Sequence, residues 1–559
     1  GQFSVTKKYS KSEKFIDPLS SKTSVTGSKD NNLAGDLYTT NGESLDWNSN
    51  AFLYYTRSFN KQHNLNVSAG WEAASGTTES TNAHYRGFPS GEFHSLNYAA
   101  EVYKKPTRTE NTTRRVSVLA SANYTWNDIY LVDASVRFDG SSEFGANQKW
   151  APFFSGGLGV NIHNYDFFKS NGYINKLKLR ASYGRTGKVN FPAYAATTMY
   201  ETLFDEWYIT GYGAVLKALG NKDLTWEKTD KLSVGIETKT FHDRLTVDFE
   251  YYYNKTIDLV NDVTLSQTSG FSTYKDNMGQ VANKGVELKL RADIYRDRNW
   301  NVALWGNMAH NKNEILKISD SQKAYNERVA AYYKNEALYQ ETLGLSHSAE
   351  YSVPLPQYEE GASLTSIWAV RSLGIDPTTG KEIFLNRDGS IADKWNAAQE
   401  VVVGNTEPKC SGAFGLNLSY KNWTLFASFL YEWGGQEYNQ TLVNNVENAD
   451  LVNKNVDLRV LTDRWKKPGD IAQFKDIKDR GMTTLPTSRF VQDKALVRLN
   501  SLNVSYDFNR DWIKKHLRMN LLRLEASTSD LINWSSIKQE RGLSYPRSWK
   551  VEFSLKAQF

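Results

Sequence analysis

The chain has almost no cysteine and few histidines. Cys410 is the single cysteine in 559 residues, so an intramolecular disulfide is excluded. The eight histidines, His84 and His310 among them, show neither HExxH nor HxxxH spacing. With one thiol and no such spacing, no zinc site can be assigned. The sequence predicts no metal centre, no cofactor and no enzymatic activity.

Long hydrophobic runs, linkers and charge imbalance are also missing. No stretch approaches the ~18 apolar residues of a membrane helix, and the mean hydropathy is -0.58. Only 12 prolines occur, and no Pro-rich or Ser/Gly-rich spacer divides the chain, so we expect one domain over 1–559. The 67 basic and 62 acidic residues nearly balance, which argues against a nucleic-acid surface. A transmembrane β-barrel has the same low hydropathy, because its strands alternate apolar and polar residues.

Two loop motifs resemble a phosphate-binding loop and a calcium-binding loop but lack residues that such loops require. The stretch YGRTGKV around Gly184 suggests a phosphate loop, but Ser182 stands where the first glycine should be and Val189 follows the lysine. The carboxylates of DPTTG and NRDG near Asp376 and Asp388 suggest calcium, but too few oxygen ligands follow at the required spacing. We interpret both as turns, which leaves open a structural calcium elsewhere in the loops.

What the sequence does contain is alternation. Successive side chains of a strand point to opposite faces, so alternating polarity predicts strands with one apolar and one polar face. Roughly 16 to 18 segments show this pattern, many near the ~10 residues of a tilted transmembrane strand. Their apolar rows include Val116–Trp126, Leu232–Ile236, Leu245–Tyr253, Phe414–Tyr420, Trp423–Tyr431, Leu502–Phe508 and Trp549–Phe559.

Short and long connections alternate along most of the chain. Tight hairpin turns are predicted at 127–128, 241–243 and 421–422. Long loops are expected near 75–113, 185–228, 255–282, 310–365 and 432–494. Outer-membrane barrels show this asymmetry, with short turns on the periplasmic side. Aromatic residues also cluster near strand ends, as in the girdles of such barrels, although ordinary β-propensity accounts for them as well.

Several stretches resemble one family, the SusC/RagA-like TonB-dependent transporters of Bacteroidota outer membranes. They include FDGSSEFGANQKWAPFFSGGLGVNI, LKLRASYGRTGKVNFPAY, LTWEKTDKLSVGIETKTFHDRLTVDFEYYYNKTIDLV, NMGQVANKGVELKL, RWKKPGD, TSRFVQDKALVRLNSLNVSYDF and the terminal YPRSWKVEFSLKAQF. The motifs occur in order from about residue 137 to 559, roughly three quarters of the chain.

The resemblance implies an all-β fold, a 22-stranded transmembrane antiparallel barrel with a plugged lumen. It implies a SusD-like surface lipoprotein as partner, energy from TonB, and import of oligosaccharides or oligopeptides. The last strand resembles the signal read by the barrel-assembly machinery, and its apolar row is Trp549, Val551, Phe553, Leu555 and Phe559. No plug or TonB-contacting segment is readable, so we expect the last 16–18 strands of the barrel, with Gly1 beginning inside it.

Candidate contacts with substrate or lipoprotein are aromatic residues in the long loops. Such side chains could stack on sugar rings, or could instead pack within the loops. They are Trp207, Tyr208, Tyr332, Tyr333 and Trp395. Paired carboxylates such as Asp248 and Glu250 could be mistaken for glycosidase acids, and we interpret them as lumen lining.

Two other functions remain open. A passive porin-like or structural barrel would need no plug. A soluble β-rich carbohydrate-binding protein would need no detergent for extraction. We lean to glycan over peptide as the substrate class only because that use is commoner in the family that the chain resembles.

Overall fold

The fold consists of long antiparallel strands joined in sequence order. The computed structural model describes residues 1–20, 22–23, 33–169, 172–189, 191, 193–209, 211–264, 273–277, 279–343, 349–451, 456–508, 510–538 and 550–559. The strands are β1 Gln2–Ile16, β2 Asp36–Phe59, β3 His63–Arg86, β4 Glu101–Trp126, β5 Tyr130–Ser141, β6 Trp150–Asn161, β7 Ile174–Lys188, β8 Met199–Tyr208, β9 Gly211–Ala218, β10 Glu227–Thr240, β11 Leu245–Ile257, β12 Val260–Thr264, β13 Thr273–Asn277, β14 Gln280–Arg296, β15 Trp300–Lys317, β16 Ser366–Ala369, β17 Arg371–Ile375, β18 Glu382–Leu385, β19 Ile391–Ala392, β20 Val401–Asn405, β21 Cys410–Tyr420, β22 Trp423–Tyr438, β23 Val491–Asp507, β24 Leu521–Ser529, β25 Asn533–Ser535 and β26 Lys550–Gln558. The helices are α1 Asp166–Lys169, α2 Asp320–Leu343, α3 Gln440–Leu442, α4 Arg459–Thr462 and α5 Arg510–Leu517.

One sheet dominates the described part of the chain. It has 17 strands, and each long strand pairs antiparallel with the next one in the order β1 to β7, β10, β11, β14, β15, β21 to β24 and β26. The short β25 pairs with β23. The predicted 16 to 18 strands and the antiparallel meander are confirmed. None of the described helices is long and apolar enough to cross a membrane.

The register gives the sheet two different faces. Leu232, Val234 and Ile236 of β10 lie opposite tyrosines and a phenylalanine of β11, so they share one face with them. The alternate positions of the same strands carry carboxylates and hydroxyls. The apolar face is uncovered: Leu53 is 81% exposed and Phe553 is 77% exposed. An apolar sheet face of this extent requires an apolar environment.

The tight turns that join consecutive long strands in the described part of the main sheet lie at one end, which we call the short-turn end. Asn127 and Asp128 both have positive φ, near 54° and 55°, as do Asn60 and Lys61 at the neighbouring hairpin. Two consecutive positive φ values match the twist of hairpin strands. The turns predicted at 127–128, 241–243 and 421–422 are confirmed.

The opposite, long-loop end carries the extended connections, and two predicted loops had wrong limits. Within 75–113, only 87–100 is a connection, because β3 and β4 continue to Arg86 and from Glu101. Thr and other polar residues occupy both faces there, so alternation could not mark these strands. The loop predicted at 310–365 begins after Lys317 and runs to 409, with five short strands of its own.

Two of these connections pack together into a folded unit. We call residues 318–343, 349–409, 439–451 and 456–490 the loop module. Backbone bonds join its halves: Val370 N–H donates to Pro486 O (3.1 Å), and Ser488 N–H donates to Val370 O (2.9 Å). A buried cluster of Val329, Tyr333 and Leu485 also spans both connections. Among the described residues, the four largest fully buried side chains, Tyr333, Phe474, Phe490 and Leu224, thus lie in connections at the long-loop end.

The turn at Asp128 makes a first prediction. Replacing Asp128 by valine should lower the free energy of unfolding by about 1–2 kcal/mol, because a β-branched side chain is strained at positive φ. Replacing it by glycine should cost no stability, because glycine adopts this conformation freely. Urea unfolding of the two purified variants checks this. Equal destabilisation by both would show that the side chain, and not the backbone, matters.

Candidate functional site

Charged side chains on the polar face pair across strands. Arg180 on β7 donates through Nη2 to Asp248 Oδ1 (2.9 Å) and to Glu250 Oε2 (2.7 Å), both on β11. The guanidinium crosses the intervening β10 at Gly235, where a Cβ would lie 2.7 Å from Arg180 Nε. A glycine at this position therefore allows one arginine to reach two carboxylates two strands away.

Lysine and arginine of β14 do not form these pairs. Lys289 lies directly opposite Asp248 in the register, yet it makes no ion pair with a described residue. Arg291 Nε lies 3.4 Å from Oδ1 of Asp293, which belongs to the same strand. Arg180, and not a cation of β14, forms the ion pairs with the β11 carboxylates. The register between β7 and β11 was not readable from composition.

Next to this network lies a row of amide side chains. Tyr252 O–H donates to Asn311 Oδ1 (2.9 Å), and Asn311 Nδ2 donates to Asn283 Oδ1 (3.2 Å). Asn313 Nδ2 also donates to Asn283 Oδ1 (2.9 Å), and Glu407 accepts from the Asn311 side chain and the Asn313 backbone. The row connects three strands to the loop module through fixed hydrogen bonds.

An open cavity of about 550 Å³ lies over this part of the polar face. Its lining includes Lys231, Tyr252, Asn254 and Glu287. Neither Lys231 nor Glu287 forms an ion pair with another residue that the structure describes. The cavity therefore offers amide, hydroxyl, ammonium and carboxylate groups to a polar ligand. Sequence reasoning missed it because asparagines such as Asn254 and Asn283 become neighbours only through the strand register.

The loop module is held by a buried ion cluster. Arg489 Nη2 donates to Glu382 Oε2 (2.8 Å) and to Glu447 Oε1 (2.7 Å). Glu382 belongs to one connection, and Glu447 and Arg489 belong to the other. Burial alone would raise the pKa of Glu382, but the Arg489 guanidinium holds it below its usual value. The cluster therefore joins the two connections as a triad of charged groups that neither connection could bury alone.

A second buried carboxyl in the module lacks such a cation. Glu400 is 1% exposed, and Gln357 Nε2 donates to its Oε2. Burial raises the pKa of Glu400 from 4.5 to about 7, against the weaker lowering by Gln357 and Arg387. This group therefore changes charge near neutral pH.

Comparison with known proteins identifies the family. Residues 3–525 match the family described as TonB dependent receptor-like, beta-barrel. The chain belongs to this family. The polar face accordingly lines a barrel lumen, and the apolar face is the outside of the barrel.

Relatives and solved structures agree with this barrel fold. TonB-dependent receptor P39 of Formosa agariphila is 26% identical over 566 residues, 92% of this chain and 53% of that protein. TonB-dependent receptor SusC of Bacteroides thetaiotaomicron is 24% identical over 460 residues, 78% of this chain and 42% of that protein. The chain spans about half the length of the curated relatives it matches.

Among solved structures, the RagAB peptide importer in its closed-closed state has a TM-score of 0.81. Sequence identity is 22%, and the match covers 100% of this chain and 59% of that chain. At this identity the likeness concerns the fold. The predicted resemblance to SusC/RagA-like transporters is therefore confirmed for the barrel.

The predicted aromatic contacts fall into two groups. Trp207 and Tyr208 end β8, which pairs with β9 in a small hairpin of the 189–226 connection, and their side chains lie outside the described set. The other three belong to the module core. Tyr333 is 0% exposed, Tyr332 stacks on Tyr351, and Trp395 Nε1 donates to Pro486 O (2.9 Å). In this arrangement Tyr333 packs inside the protein and is closed to an external ligand, contrary to the expectation.

The terminal apolar row lies on the outer face of β26. Val551, Phe553 and Leu555 are exposed there, and β26 pairs with β24 over its whole length. Phe559 directly follows β26 and is exposed, whereas Trp549 lies outside the described residues. Among the residues that the structure does describe, no group of three or more potential ligands is arranged to hold a metal ion.

The buried ion cluster gives a prediction for the module. Arg489→Met should destabilise the loop module by about 3–5 kcal/mol, because Glu382 and Glu447 then remain buried without the guanidinium that forms ion pairs with both. Limited proteolysis should cut between 349 and 490 in this variant. Lys394→Met, which removes the exposed pair with Glu341, is the control and should cost less than about 1 kcal/mol. Similar proteolysis of both variants would contradict the role of Arg489.

Glu400 gives a prediction for pH. The folded-state pKa is raised, so the protonated form stabilises the module below about pH 4.5, and this stabilisation is lost as pH rises through about 7. Glu400→Gln should keep the module stable at pH 8 and flatten this dependence. Hydrogen exchange of the backbone amides of residues 349–409, between pH 5 and 8, measures how the stability of the module depends on pH. An unchanged slope in the variant would exclude Glu400 as the titrating group.

Proposed function

We propose that this chain is the barrel portion of a TonB-dependent importer in the outer membrane of a Bacteroidota bacterium. The observation that carries the proposal is the two-faced sheet. An exposed apolar face surrounds a polar face, and the longest connections between strands of the main sheet lie at one end. Outer-membrane barrels need this arrangement, because lipid contacts the outside while water and substrate occupy the lumen.

The long-loop end is then extracellular and the short-turn end periplasmic. Aromatic rings on the outer face mark the periplasmic interface: Trp126 stacks on Tyr130, and Trp300 packs against Tyr420 beside the tight turns. Such rings prefer the boundary between lipid and water. β26, with its outward Phe553 and Leu555, supplies the strand that barrel-assembly machinery would read.

The substrate class we propose is an oligosaccharide, with an oligopeptide as the alternative. The cavity of about 550 Å³ on the polar face, which we call the lumen cavity, combines the Tyr252 hydroxyl with the amides of Asn254 and Asn283, the Lys231 ammonium and the Glu287 carboxylate. Amides donate and accept hydrogen bonds at once, which suits a ligand rich in hydroxyl groups. The solved RagAB neighbour is described as a peptide importer, so peptides remain the direct rival.

A SusD-like surface lipoprotein is the proposed partner, and it would dock on the extracellular connections. The β8–β9 hairpin with Trp207 and Tyr208 is the proposed contact, because it forms a two-stranded sheet separate from the main sheet, within the 189–226 connection. Tyr332 and Trp395 would act indirectly, by holding the loop module in shape. TonB would act through a plug segment that relatives of this family supply.

Uptake measurements in the native bacterium test the proposal. A strain lacking this gene should lose import of a labelled oligosaccharide into the periplasm, and a strain lacking TonB should lose it equally. A passive barrel would keep import without TonB. A soluble protein would be recovered without detergent. If the strain loses import of labelled oligopeptides instead of oligosaccharides, the proposed substrate class is wrong, but the proposal of a TonB-dependent importer holds.

A variant of the lumen cavity sharpens this test. Lys231→Ala with Glu287→Ala should raise the half-saturating substrate concentration about tenfold while leaving the amount of folded barrel unchanged, because both groups face the cavity without an ion-pair partner. The matched control is Lys178→Ala on the same lumen face. Import indistinguishable from that control would place substrate elsewhere.

A further inference from the structure

Three basic side chains, Lys284, His310 and Lys312, lie on the outer face where its apolar surface ends, and Lys409 lies beside them. Lys284 of β14 lies directly opposite Lys312 of β15, and His310 lies one step nearer the short-turn end on the same face. Lys409 precedes β21, and its backbone oxygen lies 2.7 Å from His310 Nδ1. We call Lys284, His310, Lys312 and Lys409 the basic cluster.

Among the residues that the structure describes, a single carboxylate lies within ion-pair distance of the basic cluster. Glu314 Oε2 lies 3.8 Å from both Lys284 Nζ and Lys312 Nζ, so one carboxylate is shared by two ammonium groups. Lys409 makes no ion pair with any described residue. Like charges directly opposite each other destabilise an antiparallel pair. An additional anion would relieve this repulsion.

The cluster borders a cavity of about 1010 Å³ beneath the loop module. His310, Lys312, Lys409 and Trp433 contribute to its lining, and Trp433 is 69% exposed. A Cβ at Gly434 would lie 3.0 Å from Lys409 Cβ, so the glycine lets the stem of this lysine lie against β22. The cavity therefore presents cations and an indole ring together.

Carboxylates of the same cavity are already engaged. Glu407 accepts hydrogen bonds from Asn311 and Asn313 on the lumen side. Asp493 Oδ1 accepts from Gln436 Nε2 (3.1 Å). Neither carboxylate forms an ion pair with a described lysine. Both carboxylates keep their charge, but these hydrogen bonds hold them on amide donors and outside ion-pair distance of Lys284, Lys312 and Lys409.

The surface directly below the cluster is suited to acyl chains. Toward the short-turn end the same face continues with Tyr251 and Val286, followed by Phe249, Leu288 and Met308. Cations just above such an apolar column lie at headgroup depth, and aromatic rings prefer that depth too. A ligand that fits both parts carries a phosphate and a hydrocarbon tail.

We propose that the basic cluster binds the phosphate of an anionic lipid in the outer leaflet, with its acyl chains along the column below. The proposal rests on the proposed placement in the outer membrane. Lys284 and Lys312 contact the phosphate, Lys409 closes the site from the module side, and Trp433 packs against the headgroup. The bound lipid would thereby join the loop module to the barrel wall.

Native mass spectrometry of the purified full-length protein tests this, with monophosphorylated lipid A in a neutral detergent as the probe. The variant Lys284→Gln with Lys312→Gln should bind roughly 25-fold more weakly, about fivefold for each lysine lost near a lipid surface. The matched control is Lys289→Gln with Lys178→Gln, which removes two lysines from the lumen face of β14 and β7. It should bind lipid as the wild type does.

Three outcomes would overturn the proposal: equal binding by cluster variant and control, loss of binding in both, or saturation by inorganic phosphate with no preference for lipid A. Heat-modified migration on gels confirms that each variant is a folded barrel. If the double variant does not fold, the single variants Lys284→Gln and Lys312→Gln replace it. Import is assayed separately, so a protein that imports substrate but fails here disproves the lipid site alone.

Discussion

Backbone hydrogen bonding between consecutive antiparallel strands is the constraint on which the whole structure depends. Because each long strand pairs with its sequence neighbour, the twofold alternation of side chains extends over the sheet as two continuous faces. A one-residue slip anywhere would exchange those faces. Fixed register therefore places Arg180 within reach of Asp248 and Glu250, and it equally brings Lys284 opposite Lys312.

The loop module follows a different rule. Its shape comes from burial of apolar side chains and one ion cluster, as in a soluble domain. Arg489 satisfies carboxylates from both connections, so neither connection can keep this conformation without the other. Glu407 then links the module to the asparagine row of the lumen wall. A movement of the module would reach the lumen cavity through those bonds.

Alternation along single strands predicted most of the barrel, because it needs only local sequence. It failed where β3 and β4 extend beyond the apolar zone, since both faces are polar there and Thr occupies each. It also did not predict the short strands of the module between 366 and 405, which are two to five residues long. The lumen network was beyond sequence reasoning, because Arg180 and Asp248 lie two strands apart and meet only across Gly235. The sequence predicts Tyr333 as a contact with substrate or lipoprotein, whereas it is buried, because aromatic composition does not report burial.

Spin-label accessibility along β11 tests the central claim most directly. With Cys410 replaced by serine, a single cysteine is placed in turn at each position from 245 to 257, and the labelled protein is measured in lipid vesicles. The two-faced barrel predicts that labels at odd positions, such as Val247 and Phe249, face lipid and are accessible to oxygen. Labels at even positions, such as Asp248, face the aqueous lumen and are accessible to a nickel chelate. Equal accessibility at both parities, or a period of 3.6 residues, would contradict the barrel.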